Sequence, residues 1–390
     1  MLIGLFPRKR DRIVLFPLIG AQLIIGTTLF LLPVLVDALR VHARFSGTAA
    51  GLLLSMELAA AALTTICLSV WLPSHSARHL ATAGGVLTIA STALALVSPG
   101  VPILVCSRFL AGIGAGVVGA GATSVLSRVV DKERVIAAVT ISSILDAAFW
   151  LAVLPFMIDR LGYRGPYICL LIVDLIGTLL LIRIPGMRSK LRKTCHISTS
   201  SRALCPMLVV VAVLLTQLGQ GAFWCMEGMY GNNAGFNGHV IGMILSICTL
   251  ILLSGAVGAA WTGDRYGRFT PLFALLAANT LAIFLVATVP VAWVYVTANI
   301  LQAVTNLSSV IYQLGLSASV DRLGRTVAVS TALVTLGNGI GPGLSATIGS
   351  SFGAQSVIAV VVVLNGAALA LYGMVMMRYV EERRMTPSLT

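Results

Sequence analysis

The sequence predicts an all-α membrane protein with twelve transmembrane helices arranged as two six-helix pseudo-repeats. Three observations lead there. Apolar residues make up 58% of the 390 and charged residues only 10%, against roughly a quarter charged in a soluble domain. The apolar residues come in runs of 18–25, separated by short loops that hold nearly all the Lys and Arg. Runs of that length read as spanning helices. Finally, the second half of the chain repeats the first.

The spans fall at 13–37, 47–71, 80–98, 101–126, 135–158, 167–184, 207–230, 239–262, 271–289, 291–316, 327–349 and 356–377. Arg8, Lys9, Arg10 and Arg12 before the first run give the N-terminus the look of a signal peptide. The run over residues 13–36 is too long for that, and no small-residue cleavage site follows it, so it is expected to be a retained span. The net charge of +13 raises nucleic acid as a partner. The basic residues instead flank the spans, as orientation signals do. Twelve spans place 21 Lys/Arg on the side of the termini and 4 (Arg40, Arg44, Arg160, Arg164) on the other, which predicts cytoplasmic termini. Arg108 is the one remaining, inside a span. The longest loop, residues 185–206, carries Arg188, Lys190, Arg192, Lys193 and Arg202, and divides the chain into bundles 1–184 and 207–390. Cys67, Cys106, Cys169, Cys225 and Cys248 lie in apolar runs. Cys195 and Cys205 fall in that basic loop, so a disulfide framework is not expected.

The repeat has a nearly constant offset of 190–191. FSGTAAGLLLS (45–55) aligns with FNGHVIGMILS (236–246), and Phe, two Gly, Leu and Ser stay in register. Trp71 matches Trp261, Arg78 matches Arg268, Arg134 matches Arg325 and Asp174 matches Asn365. Several of these are loop charges and glycines, which shared hydrophobicity does not explain. Duplicated six-span halves with a midplane site between them are a known transporter plan.

The segment GDRYGR (263–268) between spans 8 and 9 resembles the G-x-x-x-D-R-x-G-R loop signature of the major facilitator superfamily, with Asp264, Arg265, Gly267 and Arg268 in matching places. The first-half copy is reduced to SHSAR (74–78), where only Arg78 survives. RFLAGIGAGVVGAG (108–121) in span 4 resembles the family's R-x-x-x-G-x-G motif, whose glycines permit close helix approach. Span 5 reads SSILDAAFWLAVLP (142–155) and departs from the G-x-x-x-G-P stretch of drug/proton antiporters. A similar stretch, GNGIGPG (337–343), stands in span 11. The resemblance implies the family fold, with spans 1, 4, 7 and 10 lining a central cavity. It also implies a loop latch made by Arg78, Asp264, Arg265, Gly267 and Arg268.

A charge in mid-bilayer costs about 2.5–3.5 kcal/mol on insertion scales, so each needs a reason. Span 7 carries Gln217, Gln220, Trp224 and Glu227 on one helical face. Span 10 carries Asn299, Gln302, Asn306, Ser309 and Gln313. Span 1 offers Gln22 and Asp37 along one side, span 4 offers Arg108, and span 5 places Trp150 one turn after Asp146. These residues are read either as a water-accessible substrate cavity or as interhelical hydrogen bonding. Glu227 is the first candidate proton carrier, because a carboxyl group in a poorly hydrated site can take up and release a proton. Its alternative is contact with exterior water. Glu57 and Asp146 follow, and either has the alternative of pairing with Arg108. Asp37 has that of a solvated helix end. Asp174 is read as structural. Arg108 is a candidate for an anionic substrate, for steering proton release, or for a structural ion pair. Its repeat partner is Asn299.

The acids outnumber this one base, which favours neutral or cationic cargo. His75 and His79 lack a third ligand, so no metal is expected. The absence of GxxxxGK[ST] leaves no ATP-driven engine. The expected function is alternating-access transport of a small organic solute coupled to protons, in either direction, with no cofactor, no nucleic acid and no enzymatic chemistry. The protein is expected to work as a monomer in the lipid bilayer of a bacterial inner membrane. A transport-inactive membrane sensor or assembly factor on the same fold is the rival, allowed by the reduced first loop motif.

Overall fold

The computed structural model describes residues 12–42, 45–71, 77–97, 101–126, 129, 132–184, 204–263, 265–320 and 325–385. Those residues form thirteen α-helices and no strand. The first half contains α1 (Arg12–Phe30), α2 (Leu32–His42), α3 (Gly47–Trp71), α4 (Ala77–Val97), α5 (Val101–Leu126), α6 (Lys132–Leu161) and α7 (Arg164–Leu181). The second contains α8 (Leu204–Asn233), α9 (Gly238–Thr262), α10 (Phe269–Thr288), α11 (Ala292–Val320), α12 (Arg325–Phe352) and α13 (Ala354–Met385).

Eleven of these helices are long and apolar enough to cross a membrane. The helix α2 is only 11 residues long. It continues α1, and the pair occupies the first expected span. Pro33 supplies no N–H to the helical ladder, and the helix breaks at Leu31. Gln22 and Asp37 therefore stand on separate helices, which corrects the reading of one continuous side. The other exception, α12, has 28 residues, and its Ser, Thr and Gly content dilutes its hydropathy. Cys205, expected in the loop, is the second residue of α8. Cys195 lies outside the described residues.

The duplication is visible in the packing. In the first half α3 and α4 pack on α5, and α7 packs on α1 and α4. In the second, α9 and α10 pack on α11, and α13 packs on α8 and α10. The helix starts repeat too. Ser46 Oγ accepts the Ala49 N–H (3.1 Å) ahead of α3, and Asn237 Oδ1 accepts the Val240 N–H (2.9 Å) ahead of α9. Each satisfies a backbone donor that the first helical turn leaves open. Glycines draw the helices together where lipid supplies no hydrophobic drive. On α5, Gly114 meets Gly84 of α4, and Gly112 meets the Glu57 carbonyl of α3.

The halves touch along α3–α12, α6–α9 and α2–α8. The first two seams are built from the duplicated segment. Gly51 packs on Ala346 and Pro342, while Ser55 Oγ accepts the Gly343 N–H next to Pro342, inside α12. Gly242 packs on Leu151 and Pro155, while Ser246 Oγ donates to the Ala148 carbonyl (2.6 Å). Trp224 Nε1 donates to the Leu29 carbonyl (3.2 Å), and Gly228 meets Pro33. Counted along the chain, these contacts run from mid-span towards the end of α2 and the 233–238 turn, away from Arg12 and Met385. At the far rim Asp159 bonds His239, and Phe156 lies 4.4 Å from the His239 ring. A cavity of about 290 Å³ there is bordered by Asp37, Asp159, Asn237 and His239.

Candidate functional site

Ionisable side chains in mid-span form three separate groups. The first is inside the first half. Arg108 and Gly112 are one turn apart on α5, and the close approach at Gly112 brings Arg108 onto Glu57 of α3. Arg108 Nη1 lies 3.4 Å from Glu57 Oε1, and Nη2 donates to Thr92 Oγ1 (3.0 Å). Thr92 in turn donates to Asp174 Oδ2 (2.9 Å), and Thr28 donates to Glu57 Oε1 (3.3 Å). The Tyr167 ring lies 5.1 Å from the guanidinium, within cation–π range. Arg108 is 1% exposed. Glu57 Oε2 and Arg108 Nε have no hydrogen-bond partner among the described residues, and their side chains border a cavity of about 20 Å³. The partner of Arg108 is thus Glu57, with Asp174 reached through Thr92. Asp174 and the threonines carry this network as much as the pair expected from sequence. The threonines bear no charge and so gave no signal.

The second group is Glu227 on α8. It is 0% exposed, and neither carboxylate oxygen has a hydrogen-bond partner among the described residues. The Tyr295 hydroxyl donates to the Glu227 backbone carbonyl (3.3 Å), and Asn299 Nδ2 donates to the Tyr295 carbonyl (3.0 Å). The next residue, Gly228, meets Pro33 of the other half. Glu227 therefore lies beside this contact between the halves, closed off from water in this conformation.

The third group is Asp146 and its two donors, all in the first half. Asp146 on α6 is half-buried; its Oδ2 accepts from Thr27 Oγ1 of α1 (2.9 Å) and its Oδ1 from Trp150 Nε1 (3.1 Å). Trp150 is buried, and the partly buried Trp224 of the second half packs against the same cluster.

The amide stripes sit mostly inside the second half. Asn338 of α12 donates to Gln217 Oε1 (2.9 Å), and Gln217 Nε2 approaches Gln313 Oε1 (3.4 Å). Thr305 reaches Asn279 Oδ1 (3.4 Å), and Asn279 reaches Gln220 Oε1 (3.4 Å). These bonds tie α8, α10, α11 and α12 together. Gln302 is buried, with its Nε2 unpartnered among the described residues, whereas Asn306 and Gln22 are half-buried.

In the loop signature, Gly267 has φ 71° and Gly263 has φ 50°, backbone that glycine adopts without strain. Arg268 Nη1 donates to the Gly315 carbonyl of α11 (2.8 Å), and Arg265 lies 5.7 Å from the Trp261 ring. Asp264 lies outside the described residues, and Arg78 is exposed at the start of α4. Among the described residues no three His, Cys, Asp or Glu gather as metal ligands. His75 lies outside them.

The sequence model of the Major Facilitator Superfamily matches residues 18–195 and 209–388, one copy on each half. No curated protein sequence matches the chain. Among solved structures, a bacterial homologue of the human lysosomal transporter Spinster, inward-facing and unoccupied, superposes with a TM-score of 0.69 at 14% identity. It covers 98% of this chain and 99% of its own. The human organic anion transporter MFSD10 gives 0.68 at 14% identity, over 94% of this chain and all of its own. A peptide transporter POT variant gives 0.74 at 12% identity, over 96% and 95%. At these identities the likeness is one of fold.

Proposed function

The chain belongs to the Major Facilitator Superfamily, a family of solute transporters rather than enzymes, and from that premise we propose that it carries a small organic solute by alternating access, coupled to protons through Glu227. The observation that carries this reading is the Glu227 carboxyl: buried, with only the neutral Tyr295 and Asn299 side chains beside it and no cation among the described residues, and one residue from the seam at Gly228. A charge held there with no cation beside it is costly. Opening the Gly228–Pro33 contact would admit water and remove that cost. Proton binding therefore favours this sealed state and proton release favours the opposite one, and a gradient can drive a conformational cycle in this way. The excess of Lys and Arg on the side of the termini supports cytoplasmic termini, and on that reading this state is open to the cytoplasm. The Asn338–Gln217–Gln313 chain holds α8, α11 and α12 as one body that can rock against the first half.

The test is Glu227→Gln in proteoliposomes with an internal pH dye, screened with aromatic, amphipathic and sugar-like solutes. Solute-dependent proton flux and gradient-driven accumulation are expected in the parent protein and are lost in the variant, whose melting temperature shows it folded. A variant that still concentrates solute as the parent does removes Glu227 from the mechanism.

A further inference from the structure

Arg108 and Asp146 are both ionisable in mid-span, and the fold treats them in opposite ways. Arg108 is turned into the first half, where Glu57, Thr92 and the Tyr167 ring occupy its guanidinium face and both Nη atoms. It is 1% exposed, and the cavity of about 20 Å³ beside its unpartnered Nε is too small for an organic solute. Asp146 is half-buried, and its two oxygens accept only from the neutral donors Thr27 and Trp150. Among the described residues no cation pairs with it.

The height of Asp146 matters as much as its charge. It precedes Ala148 by two residues, about 3 Å of helix rise. The Ala148 carbonyl takes the Ser246 bond that joins the halves, and Leu151 and Pro155 seal on Gly242 just beyond. Its partner Thr27 precedes Leu29 by two residues, and Leu29 holds the Trp224 indole. Asp146 thus stands in the first layer on the open side of the seal. Trp150 of its own half bonds it, and Trp224 of the other half packs against the same cluster.

We infer that Asp146 recognises a cationic organic solute, an ammonium or delocalised cation whose apolar part rests on the Trp150 and Trp224 indoles. This rests on the carrier reading above and names the class of its cargo. A carboxylate bonded to an ammonium is a charge-assisted contact, stronger than a neutral hydrogen bond. The indole faces add cation–π attraction, which grows as water is excluded. An anionic solute meets the Asp146 charge with the only mid-span base already engaged, so the same arrangement discriminates against it.

Tetraphenylphosphonium and tetraphenylborate share shape and greasiness and differ in the sign of charge. Their equilibrium binding to the purified full-length protein tests the inference. Saturable binding of the phosphonium, which has no donor and meets Asp146 by charge alone, is expected, weakened about tenfold or more by Asp146→Asn and kept by Asp146→Glu. The borate is expected to show no saturable binding. A melting curve for each variant separates lost recognition from lost fold, and Trp150→Phe, which removes the indole N–H and keeps a ring, provides a second variant. Absence of saturable phosphonium binding, equal binding of the two ions, or phosphonium binding unchanged in Asp146→Asn overturns the inference. The two readings fail separately: unchanged accumulation in Glu227→Gln removes the proton role, and unchanged phosphonium binding in Asp146→Asn removes the cation site.

Discussion

Leucine at both Gly51 and Gly242 is expected to hold the sealed end apart and reduce transport to background. A Cβ at position 51 would lie 2.5 Å from Ala346 Cβ and 2.9 Å from the Pro342 carbonyl oxygen. One at position 242 would lie 2.6 Å from the Leu151 carbonyl oxygen and 2.6 Å from Pro155 Cγ. Backbone and proline ring cannot swing aside as the end of a flexible side chain can. Both seams join one half to the other, so the strain is relieved by parting the halves with each bundle intact. The double variant should melt near the parent temperature. Spin labels at Arg160 and Asn232, at the rim of the two halves, should report a longer distance. Transport at the parent rate with an unchanged label distance would show that these glycines do not form the seal. Alternating access requires this end to close in one state, so a block here acts on every turnover whatever the cargo.

Replacing Arg108 by Met is expected to cost about 3–5 kcal/mol of stability, the usual effect of removing one partner from a buried ion pair. The cost comes from what is left behind. Glu57 would lose its counter-charge and keep only Thr28 to bond it, and Thr92 would lose the donor that holds it towards Asp174. A second change, Glu57→Leu, should recover much of the loss, because a well-packed apolar pair is often no worse than a buried ionic one. Thermal unfolding of the two single variants and the double variant in mild detergent gives the coupling as a cycle. Additive losses would mean that the two side chains do not depend on each other.

Much of the architecture is legible in the amino-acid sequence. Hydropathy is a local sum over about twenty residues, so the spans at 47–71 and 101–126 coincide with α3 and α5, and the other predicted spans deviate at their ends or, for the first, by an internal break. The duplicated FSGTAAGLLLS and FNGHVIGMILS segments announced two related halves because their glycines, caps and serines are needed twice. The same register later proved to hold the two seams. The ionisable mid-span residues can be listed from the sequence alone, since any charge among apolar residues stands out.

Partner choice was not legible. Sequence allowed Arg108 to pair with Glu57 or Asp146. The close approach of α5 and α3 at Gly112 settled it for Glu57, and left Asp146 to Thr27 and Trp150. Glu227 could equally have faced water or protein, and the seam at Gly228 enclosed it. The amides could have lined a cavity or bridged helices, and Asn338, from a third helix, drew Gln217 into a bridge. Sequence by itself determined which segments enter the membrane, how many there are and that they are duplicated, because those properties belong to each segment alone. Tertiary structure decided which side chains meet, which end is shut and which acid is left without a base. Those properties depend on the rotation of each helix about its axis and on which neighbours come close, and no local sum along the chain contains them.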